Sequence, residues 1–510
     1  MIRIGIDVGG TNTDAVLLDG DTVAAACKTP TTQGVTGGIR AALAGVLGSA
    51  RVTPAAVDAV MIGTTHFTNA VVQRRGLSRI AAVRIGLPAS ASLPPFADWP
   101  EDLIPEVCGA VFMLEGGHEV DGRPIVPFDE AGMRDAARRI RDGGFGAASI
   151  CAIFSPLTGV DEDRAAEILR EVCPEIAITR SHTLGRIGLL ERENAALLNA
   201  SLQELARQTT SAMRTAMEEA RLAARLFLTQ NDGTVMRADV AERFPIFSFA
   251  SGPTNSMRGA AFLSGLDDAV VADVGGTTTD IGVLRLGFPR EANNVVRIGE
   301  VRTAFRMPDL LSIGLGGGSL VTVEPLGIGP RSTGYRLTSE ARVFGGDSLT
   351  CTDLAVARGL LTLGDAAAVG DLSAEWLDRA FARIREMIEV GVDRMKISAA
   401  PVPLIAVGGG SFLIPEDIRG VSEVLRVPHR EVANAIGAAI AQISGEVDRV
   451  FTDMSRADAL ADAEGMARDN AVIAGAASES VRTVEVEDLP LAYLPGNALR
   501  VRVRVVGDIA

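Results

Sequence analysis

Short apolar runs alternate with longer amphipathic segments in the first part of the chain. The runs at residues 57–62, 80–83 and 147–154 have the length and composition of buried strands. Before the last of these runs, residues 130–141 carry apolar side chains at helical spacing. Strands that alternate with helices predict an α/β architecture for this region.

A long helical pattern follows between about residues 186 and 225. Its apolar stripe consists of Leu190, Leu197, Leu198, Leu202, Leu205, Met213 and Met217. Leucines and methionines at this spacing are typical of a helix face that packs in a core. The next predicted strand spans residues 225–229 and ends at an Asn-Asp-Gly turn, residues 231–233.

The last part of the chain has a pattern of its own. Residues 457–471 predict a helix, and residues 481–486 and 499–506 predict strands. The final strand carries arginines at every second position: Arg500, Arg502 and Arg504. We interpret them as the solvent face of a half-buried strand. These patterns predict three units: an N-terminal lobe (1–185), a second lobe with a connecting helix (186–445) and a small C-terminal α+β domain (446–510).

One eight-residue segment occurs twice. DVGGTNTD at residues 7–14 returns as DVGGTTTD at residues 273–280, with Thr278 in the place of Asn12. Apolar residues precede and follow both copies, so each predicts a strand, a Gly-Gly-Thr turn and a second strand. Adjacent glycines let backbone N–H groups approach a phosphate, and threonine hydroxyls add donors. The acidic strand end fits a phosphate only if a cation lies between them.

Two further glycine clusters stand in the second half. Gly408, Gly409, Gly410 and Ser411 follow an apolar strand, and a helix rich in small residues is predicted over 431–443. This arrangement fits a pocket for a base and ribose, although a close-packed turn gives the same pattern. The cluster at residues 313–319 either lines the cleft or forms a simple turn, and the sequence leaves both open.

Charge and composition narrow the class of protein. The net charge is −15 and no basic patch stands out, so we expect no nucleic-acid partner. No apolar run reaches the roughly 18 residues of a membrane span, and Met1 leads directly into a strand, so we expect neither a membrane anchor nor a secretory signal. The five cysteines are scattered, which is typical of thiols in a reducing cytoplasm.

With these motifs in place, the chain resembles the hydantoinase A/5-oxoprolinase family of actin-like ATPases over most of residues 1–445. The resemblance is carried by residues 4–14, 63–70 (GTTHFTNA), 231–233, 251–253 and 273–280. It implies an α/β fold of two actin-like (ribonuclease H-like) lobes with duplicated phosphate-binding hairpins. The chain departs from the family pattern at residues 254–256 and 340–347.

The resemblance implies an ATP-dependent hydrolase that opens a cyclic amide or imide of the hydantoin, oxoproline or lactam type by phosphorylating its amide oxygen. It implies ATP and Mg²⁺ as cofactors, with Asp7 and Asp273 holding the metal directly or through water. Asp14 and Asp280 brace the turns or orient water. The expected nucleotide contacts are Gly9, Gly10, Thr11, Asn12, Thr13, Gly275, Gly276, Thr277, Thr278 and residues 408–411.

The sequence also offers candidates for the substrate site and for the partner. Polar residues near the junction of the lobes and in family-like segments are candidates for substrate contacts: His66, Arg192, Asn194, Asn199 and Asn255. Structural roles for the same residues, such as a hydrogen-bonding histidine and a charged helix start, remain alternatives. A small-molecule kinase and a regulatory actin-like ATPase are alternative functions of this fold. A homodimer and a separate partner subunit are both open.

Overall fold

The computed structural model describes residues 1–9, 12–30, 35–184, 187–292, 296–303, 307–492 and 496–510. Its strands are β1 (Ile2–Val8), β2 (Asn12–Asp19), β3 (Thr22–Pro30), β4 (Ala59–Thr64), β5 (Ile80–Leu87), β6 (Cys108–Glu115), β7 (Ala147–Ala152), β8 (Ala177–Arg180), β9 (Arg225–Thr229), β10 (Val235–Arg237), β11 (Ala269–Val274), β12 (Thr279–Arg285), β13 (Phe288–Pro289), β14 (Val296–Ile298), β15 (Val301–Thr303), β16 (Leu310–Ile313), β17 (Ser319–Thr322), β18 (Gly327–Ser332), β19 (Val402–Val407), β20 (Val421–Leu425), β21 (Ile443–Phe451), β22 (Arg482–Pro490) and β23 (Leu499–Gly507).

The α-helices are α1 (Val35–Ala50), α2 (His66–Val72), α3 (Ile104–Val107), α4 (Glu130–Asp142), α5 (Val160–Val172), α6 (Leu189–Glu219), α7 (Ala238–Arg243), α8 (Ser251–Ser264), α9 (Leu337–Glu340), α10 (Cys351–Ala357), α11 (Ala374–Met395), α12 (Ala433–Ala439) and α13 (Arg456–Ala474). The α/β architecture expected from the apolar pattern is therefore present. The long central helix is confirmed as α6, and its leucine and methionine stripe is largely buried.

The largest sheet has nine strands in the order β22-β23-β21-β10-β9-β4-β1-β2-β3. The first predicted hairpin lies near one edge of this sheet, where β1 pairs antiparallel with β2 and parallel with β4. The helices α1 and α6 contribute to the hydrophobic core that covers these strands. A four-stranded parallel sheet, β6-β5-β7-β8, adds its own core with α4 and α5.

The second copy of the hairpin lies at the centre of another sheet, β13-β12-β11-β19-β20 with β16 beside β12. Here β11 pairs antiparallel with β12 and parallel with β19, as β1 does with β2 and β4. The two acidic residues also face each other in both hairpins, Asp7 opposite Asp14 and Asp273 opposite Asp280. The repeat in the sequence is thus a repeat in strand topology, and it extends to a third strand that the sequence motif does not include.

A close contact between α8 and α12 brings the second half of the chain against the first hairpin. A Cβ atom on Gly437 would overlap the carbonyl oxygen of Asn255, so the two helices meet backbone to backbone at this point. Only glycine permits such an approach. The same contact brings Asn255 of α8 and Asn434 of α12 close to Asp7 on β1.

The prediction that the arginines of β23 face solvent is wrong for Arg502 and Arg504, which are only 2% and 6% exposed. Arg502 is surrounded by carboxylates, with Glu446 Oε1 at 2.8 Å, Glu485 Oε1 at 2.5 Å and Glu291 Oε1 at 3.1 Å. Period-two alternation identifies one face of a strand but not what covers that face. Here the neighbouring strands and the segment after β13 cover it with acidic side chains.

The C-terminal strands are part of the nine-stranded sheet. β23 pairs with β21 along its whole length, and β22 lies at the edge beyond it. Residues 446–510 therefore continue the sheet that contains β1, and the three-unit division stays a prediction. Among the described residues, no helix is both long and apolar enough to cross a bilayer.

Candidate functional site

A cleft of about 440 Å³ lies between the two hairpins. The two halves of the chain contribute to it together, and its lining includes Gly9, Asn12, Asp14, Asp273, Gly275, Gly276, Gly408, Gly409 and Gly410. The structure thus brings both predicted hairpins and the predicted nucleoside cluster to one cavity. Gly10 and Thr11, also predicted to contact phosphates, lie outside the described residues.

Asp7 lies at the buried end of β1, beside this cleft. Asn434 Nδ2 donates to Asp7 Oδ2 at 3.0 Å and to Asp14 Oδ2 at 2.9 Å, so one amide ties the two carboxylates together. On the other side, Asn255 Nδ2 lies 3.5 Å from Asp7 Oδ1. Burial raises the pKa of Asp7 to about 7, and the negative charge of Asp14 adds to the rise, while the two asparagine hydrogen bonds oppose it.

Asp273 occupies the equivalent position on β11. The pKa of Asp273 is raised to about 6, chiefly by burial and also by the nearby charges of Asp280 and Asp14, against a hydrogen bond from Ser256 and the charge of Lys28. Burial also raises the pKa of Asp280, against a hydrogen bond from Ser312. Carboxyl groups of both hairpins therefore influence one another across the cleft.

A hard divalent cation fits this donor set. Asp7 and Asp273 offer carboxylate oxygens, and the buried Asn255 Oδ1 has no hydrogen-bond partner within the described part of the chain. The same part contains no group of three or more metal-binding side chains. Mg²⁺ is commonly held by one or two carboxylates together with water and substrate phosphates, so a site of this kind suits an ion shared with a nucleotide.

Lys28 on β3 was missed by the sequence reasoning. Its Nζ lies 2.7 Å from Asp14 Oδ1, and its side chain lines the cleft. In the part of the chain that the structure describes, the second hairpin has no matching cation, because β16 places Ser312 opposite Asp280 where β3 places Lys28 opposite Asp14. A signal was available: Lys28 is one of only two lysines in a chain that otherwise uses arginine.

The third glycine cluster packs directly against the second hairpin. Gly408 has a φ of +86°, and a Cβ there would overlap a carboxylate oxygen of Asp273. The N–H of Gly410 donates to Val274 O at 2.8 Å. Ser411 is buried and accepts a bond from Arg430 Nε at 3.1 Å, so it supports a basic residue of the cleft and is not itself part of the lining.

Apolar side chains line another part of the cleft: Leu337, Leu361, Leu363 and Phe412. A flat base fits such a wall better than a phosphate does. The fourth glycine cluster combines both roles left open by the sequence, because Gly317 lines the cleft while its N–H donates to Gly275 O at 3.0 Å. The fourth cluster therefore also holds the turn of the second hairpin in place through this hydrogen bond.

Several predicted contacts lie outside the lining of the cleft. Thr13 is fully buried in β2, and Thr277 and Thr278 lie at the turn of the second hairpin without lining the cavity. His66 begins α2, where its N–H donates to Thr64 Oγ1 at 3.1 Å, and burial lowers its pKa. The phosphate and substrate roles of these residues stay predictions.

The three polar residues predicted on the central helix are fully buried in networks of their own. Arg192 Nε donates to Ser181 Oγ at 2.9 Å. Asn194 Oδ1 accepts from the Trp99 indole at 2.7 Å. Asn199 Nδ2 donates to Thr179 Oγ1 at 2.9 Å. The structure does not bring these three side chains to the cleft, whereas it does bring Asn255 to Asp7.

Comparison with known proteins adds two family matches. The model of the hydantoinase/oxoprolinase N-terminal region matches residues 3–173, and the hydantoinase/oxoprolinase model matches residues 192–400. Similar proteins include the caprolactamase subunit alpha of Pseudomonas jessenii, 25% identical over 78% of this chain and 60% of that protein. The acetophenone carboxylase gamma subunit of Aromatoleum aromaticum is 28% identical over 70% of this chain and 53% of that protein. The chain thus spans less than two thirds of the length of these curated relatives.

Solved structures show the same fold. The ATP-dependent caprolactamase from Pseudomonas jessenii superposes with a TM-score of 0.78 at 20% identity, covering 100% of this chain and 88% of that one. The nucleotide-free acetone carboxylase superposes with a TM-score of 0.72 at 19% identity and the same coverage. At these identities the superpositions establish the fold and leave the reaction to be argued from the site.

Proposed function

This chain belongs to the hydantoinase/oxoprolinase family, and from that premise we propose that it is an ATP-dependent enzyme that phosphorylates the carbonyl oxygen of a small cyclic amide. The observation that supports this most is the cleft in which both hairpins meet, with acidic strand ends from each half of the chain. Two copies of one glycine-rich hairpin around a single cavity fit a ligand with several consecutive phosphates.

The charges of the cleft support a nucleotide together with a cation. Backbone N–H groups of the glycine turns and the side chains of Lys28 and Arg430 provide positive potential for phosphate oxygens. Asp7 and Asp273 would hold Mg²⁺, which supplies charge neutralisation of the phosphates when bound. Asn434 and Asn255 would keep the Asp7 carboxylate in a fixed orientation toward that ion.

The proposed chemistry makes an unreactive amide cleavable. The amide oxygen forms a bond to the γ-phosphorus while the bond from that phosphorus to the ADP oxygen breaks. Water then adds to the activated carbon, and the C–N bond breaks as the nitrogen takes up a proton, which leaves an acyl phosphate. A second water attacks the carbonyl carbon of this acyl phosphate, and phosphate leaves with the former amide oxygen. The products are ADP, phosphate and a ring-opened acid. The protein contributes mainly position and electrostatic stabilisation, as is usual for phosphoryl transfer.

Activation of a ketone is a second candidate. The acetophenone carboxylase gamma subunit and the acetone carboxylase beta subunit of Xanthobacter autotrophicus, 24% identical over 70% of this chain and 54% of that protein, are named for ketones. A ketone and a lactam both present a carbonyl oxygen to a phosphoryl donor, so the same cleft suits both. What differs is the group that attacks the activated carbon.

A separate partner subunit is part of the proposal. The caprolactamase and carboxylase relatives are named as subunits, and this chain spans only part of their length.

All five cysteines are free thiols, which supports a reducing, cytoplasmic setting.

The test separates nucleotide binding from substrate turnover. Calorimetric titration with ATP, with and without Mg²⁺, measures the first step and needs neither substrate nor partner. ADP release is then measured with caprolactam, hydantoin, 5-oxoproline, and acetone with bicarbonate. We expect Mg²⁺-dependent ATP binding, and a cyclic amide that increases ADP release.

Matched variants locate the effect. Asp7→Asn and Asp273→Asn should abolish Mg²⁺-dependent ADP release, whereas Asp462→Asn on the exposed face of α13 should leave it unchanged. Absence of ATP binding to the wild-type chain would refute the nucleotide site. Stimulation by the ketone alone would replace the cyclic amide with the second candidate.

A further inference from the structure

A second cavity of about 290 Å³ lies where the N-terminal lobe meets the connecting helix, and it shares no lining residue with the nucleotide cleft. It is formed where the strand β8, the end of α5, the middle of α6 and the end of α7 meet. None of the residues predicted from the sequence to bind nucleotide, metal or substrate lines it. The cavity therefore needs an explanation of its own.

The lining of this cavity is strongly basic in a chain whose net charge is −15. One carboxylate, Glu242, stands among four guanidinium groups: Arg170, Arg180, Arg207 and Arg243. Lining charge of one sign concentrates ligands of the opposite sign.

Two of these arginines have carboxylate partners and two do not. Arg180 pairs with Asp163, and Arg207 pairs with Glu204. Arg170 and Arg243 form no ion pair with any residue that the structure describes. Arg243 stacks on the ring of Phe244 with its guanidinium carbon 5.3 Å from the ring centre. Two guanidinium groups are thus available to a carboxylate, which arginine binds with paired hydrogen bonds.

One lining residue of the cavity, Gln203, carries a buried acceptor. Gln203 is 6% exposed, and its Nε2 donates to Arg243 O at 3.0 Å. That bond fixes the orientation of the amide, so Oε1 is the free end, and it has no hydrogen-bond partner among the described residues. A buried acceptor without a partner is costly, and a ligand with an N–H or O–H group would satisfy it.

We propose that this cavity binds a small carboxylate that also carries a hydrogen-bond donor, as a linear amino acid does. The carboxylate lies against Arg170 and Arg243, and the amino group lies against Gln203 Oε1 and the Glu242 carboxylate. A phosphate matches the arginines equally well but offers no donor to Gln203 when fully ionised. It would also meet Glu242 as a like charge.

The source of this ligand rests on the proposed function. Opening a cyclic amide produces an acid and an amine in the same molecule. The cavity then recognises the chemical class of the product at a distance from the cleft where the ring is opened. Binding itself depends only on the residues of the cavity.

The test is calorimetric titration of the intact chain without nucleotide. The probes are 6-aminohexanoate and glutamate, with hexanoate as the matched acid that lacks the amine and inorganic phosphate as the matched anion. Arg243→Gln removes one guanidinium, and Gln203→Met removes the acceptor while keeping the buried volume. Arg383→Gln, at an exposed position of α11, is the control.

We expect an amino acid to bind more tightly than hexanoate and phosphate. Arg243→Gln and Gln203→Met should each raise its Kd by about tenfold or more, because each removes a hydrogen bond to a charged group. Arg383→Gln should leave the Kd unchanged. No heat with either amino acid, equal binding of hexanoate or phosphate, or an unaltered Kd in both cavity variants would overturn the proposal. Because the titration needs no turnover, its failure and a failure of the ATPase assay are separate results.

Discussion

Replacing Asp7 with asparagine should make the nucleotide-free protein less sensitive to pH as well as inactive. The wild-type carboxyl group has its pKa raised from 3.8 to about 7, chiefly by burial. Between these two values the folded protein holds a proton that the unfolded chain releases. The free energy of unfolding therefore falls as pH rises through this range, and the loss is complete above about pH 7.

The size of the effect follows from the width of this window. Each unit of pKa difference corresponds to about 1.4 kcal/mol, so the full cost of the buried charge is roughly 4 kcal/mol. About 2 kcal/mol of it falls between pH 5.5 and pH 8, a range that avoids the isoelectric point near 4.9. Against this, an asparagine at position 7 can accept from only one of the Asn255 and Asn434 amides, which costs about 1–3 kcal/mol at every pH.

The assay is urea unfolding at about pH 5.5 and pH 8, followed by tryptophan fluorescence. Trp99 reports on the N-terminal lobe, and Trp376 on α11 in the second lobe. Between pH 5.5 and pH 8, the free energy of unfolding of Asp7→Asn should rise by about 2 kcal/mol relative to that of wild type. Asp462→Asn, on the exposed face of α13, is the matched control. A difference between Asp7→Asn and wild type that is the same at both pH values would refute the assignment of a raised pKa to Asp7.

Three further substitutions test the rest of the site and its support. Asn434→Ala removes the donor shared by Asp7 and Asp14 and should lower Mg²⁺-dependent ATP turnover by about 10–100-fold, as losses of groups that orient metal ligands do, with thermal unfolding as the control for folding. Lys28→Met should raise the KM for ATP by about tenfold through loss of one charge-assisted phosphate contact, and an unchanged KM would remove Lys28 from the phosphate site. Arg502→Met leaves several carboxylates without their cation and should lower the free energy of unfolding by about 3–5 kcal/mol, measured by urea titration; a loss below 1 kcal/mol would show that water already screens the cluster.

The sequence by itself determined the parts of this protein that depend on local chemistry. Two adjacent glycines followed by threonine specify a tight turn, and the apolar runs on both sides specify the strands, so both hairpins were predictable and are present. The helical stripe of α6 has the same character, because helical periodicity is a property of neighbouring residues. The third glycine cluster also lies at the cleft, since it ends a strand parallel to β11, and its role at the base and ribose stays a prediction.

Tertiary structure alone decided which distant residues meet. Asn434 reaches Asp7 across 427 positions because α12 crosses α8 at Gly437, a contact that no periodicity encodes. Lys28 faces Asp14 because of the register of β3, and Arg502 is buried because three separate segments bring carboxylates to its face. Arg192 and Asn199 had the composition of a ligand site, yet each finds its partners in neighbouring strands and loops. A sequence shows what a side chain can bind, whereas packing between distant segments decides which partner is within reach.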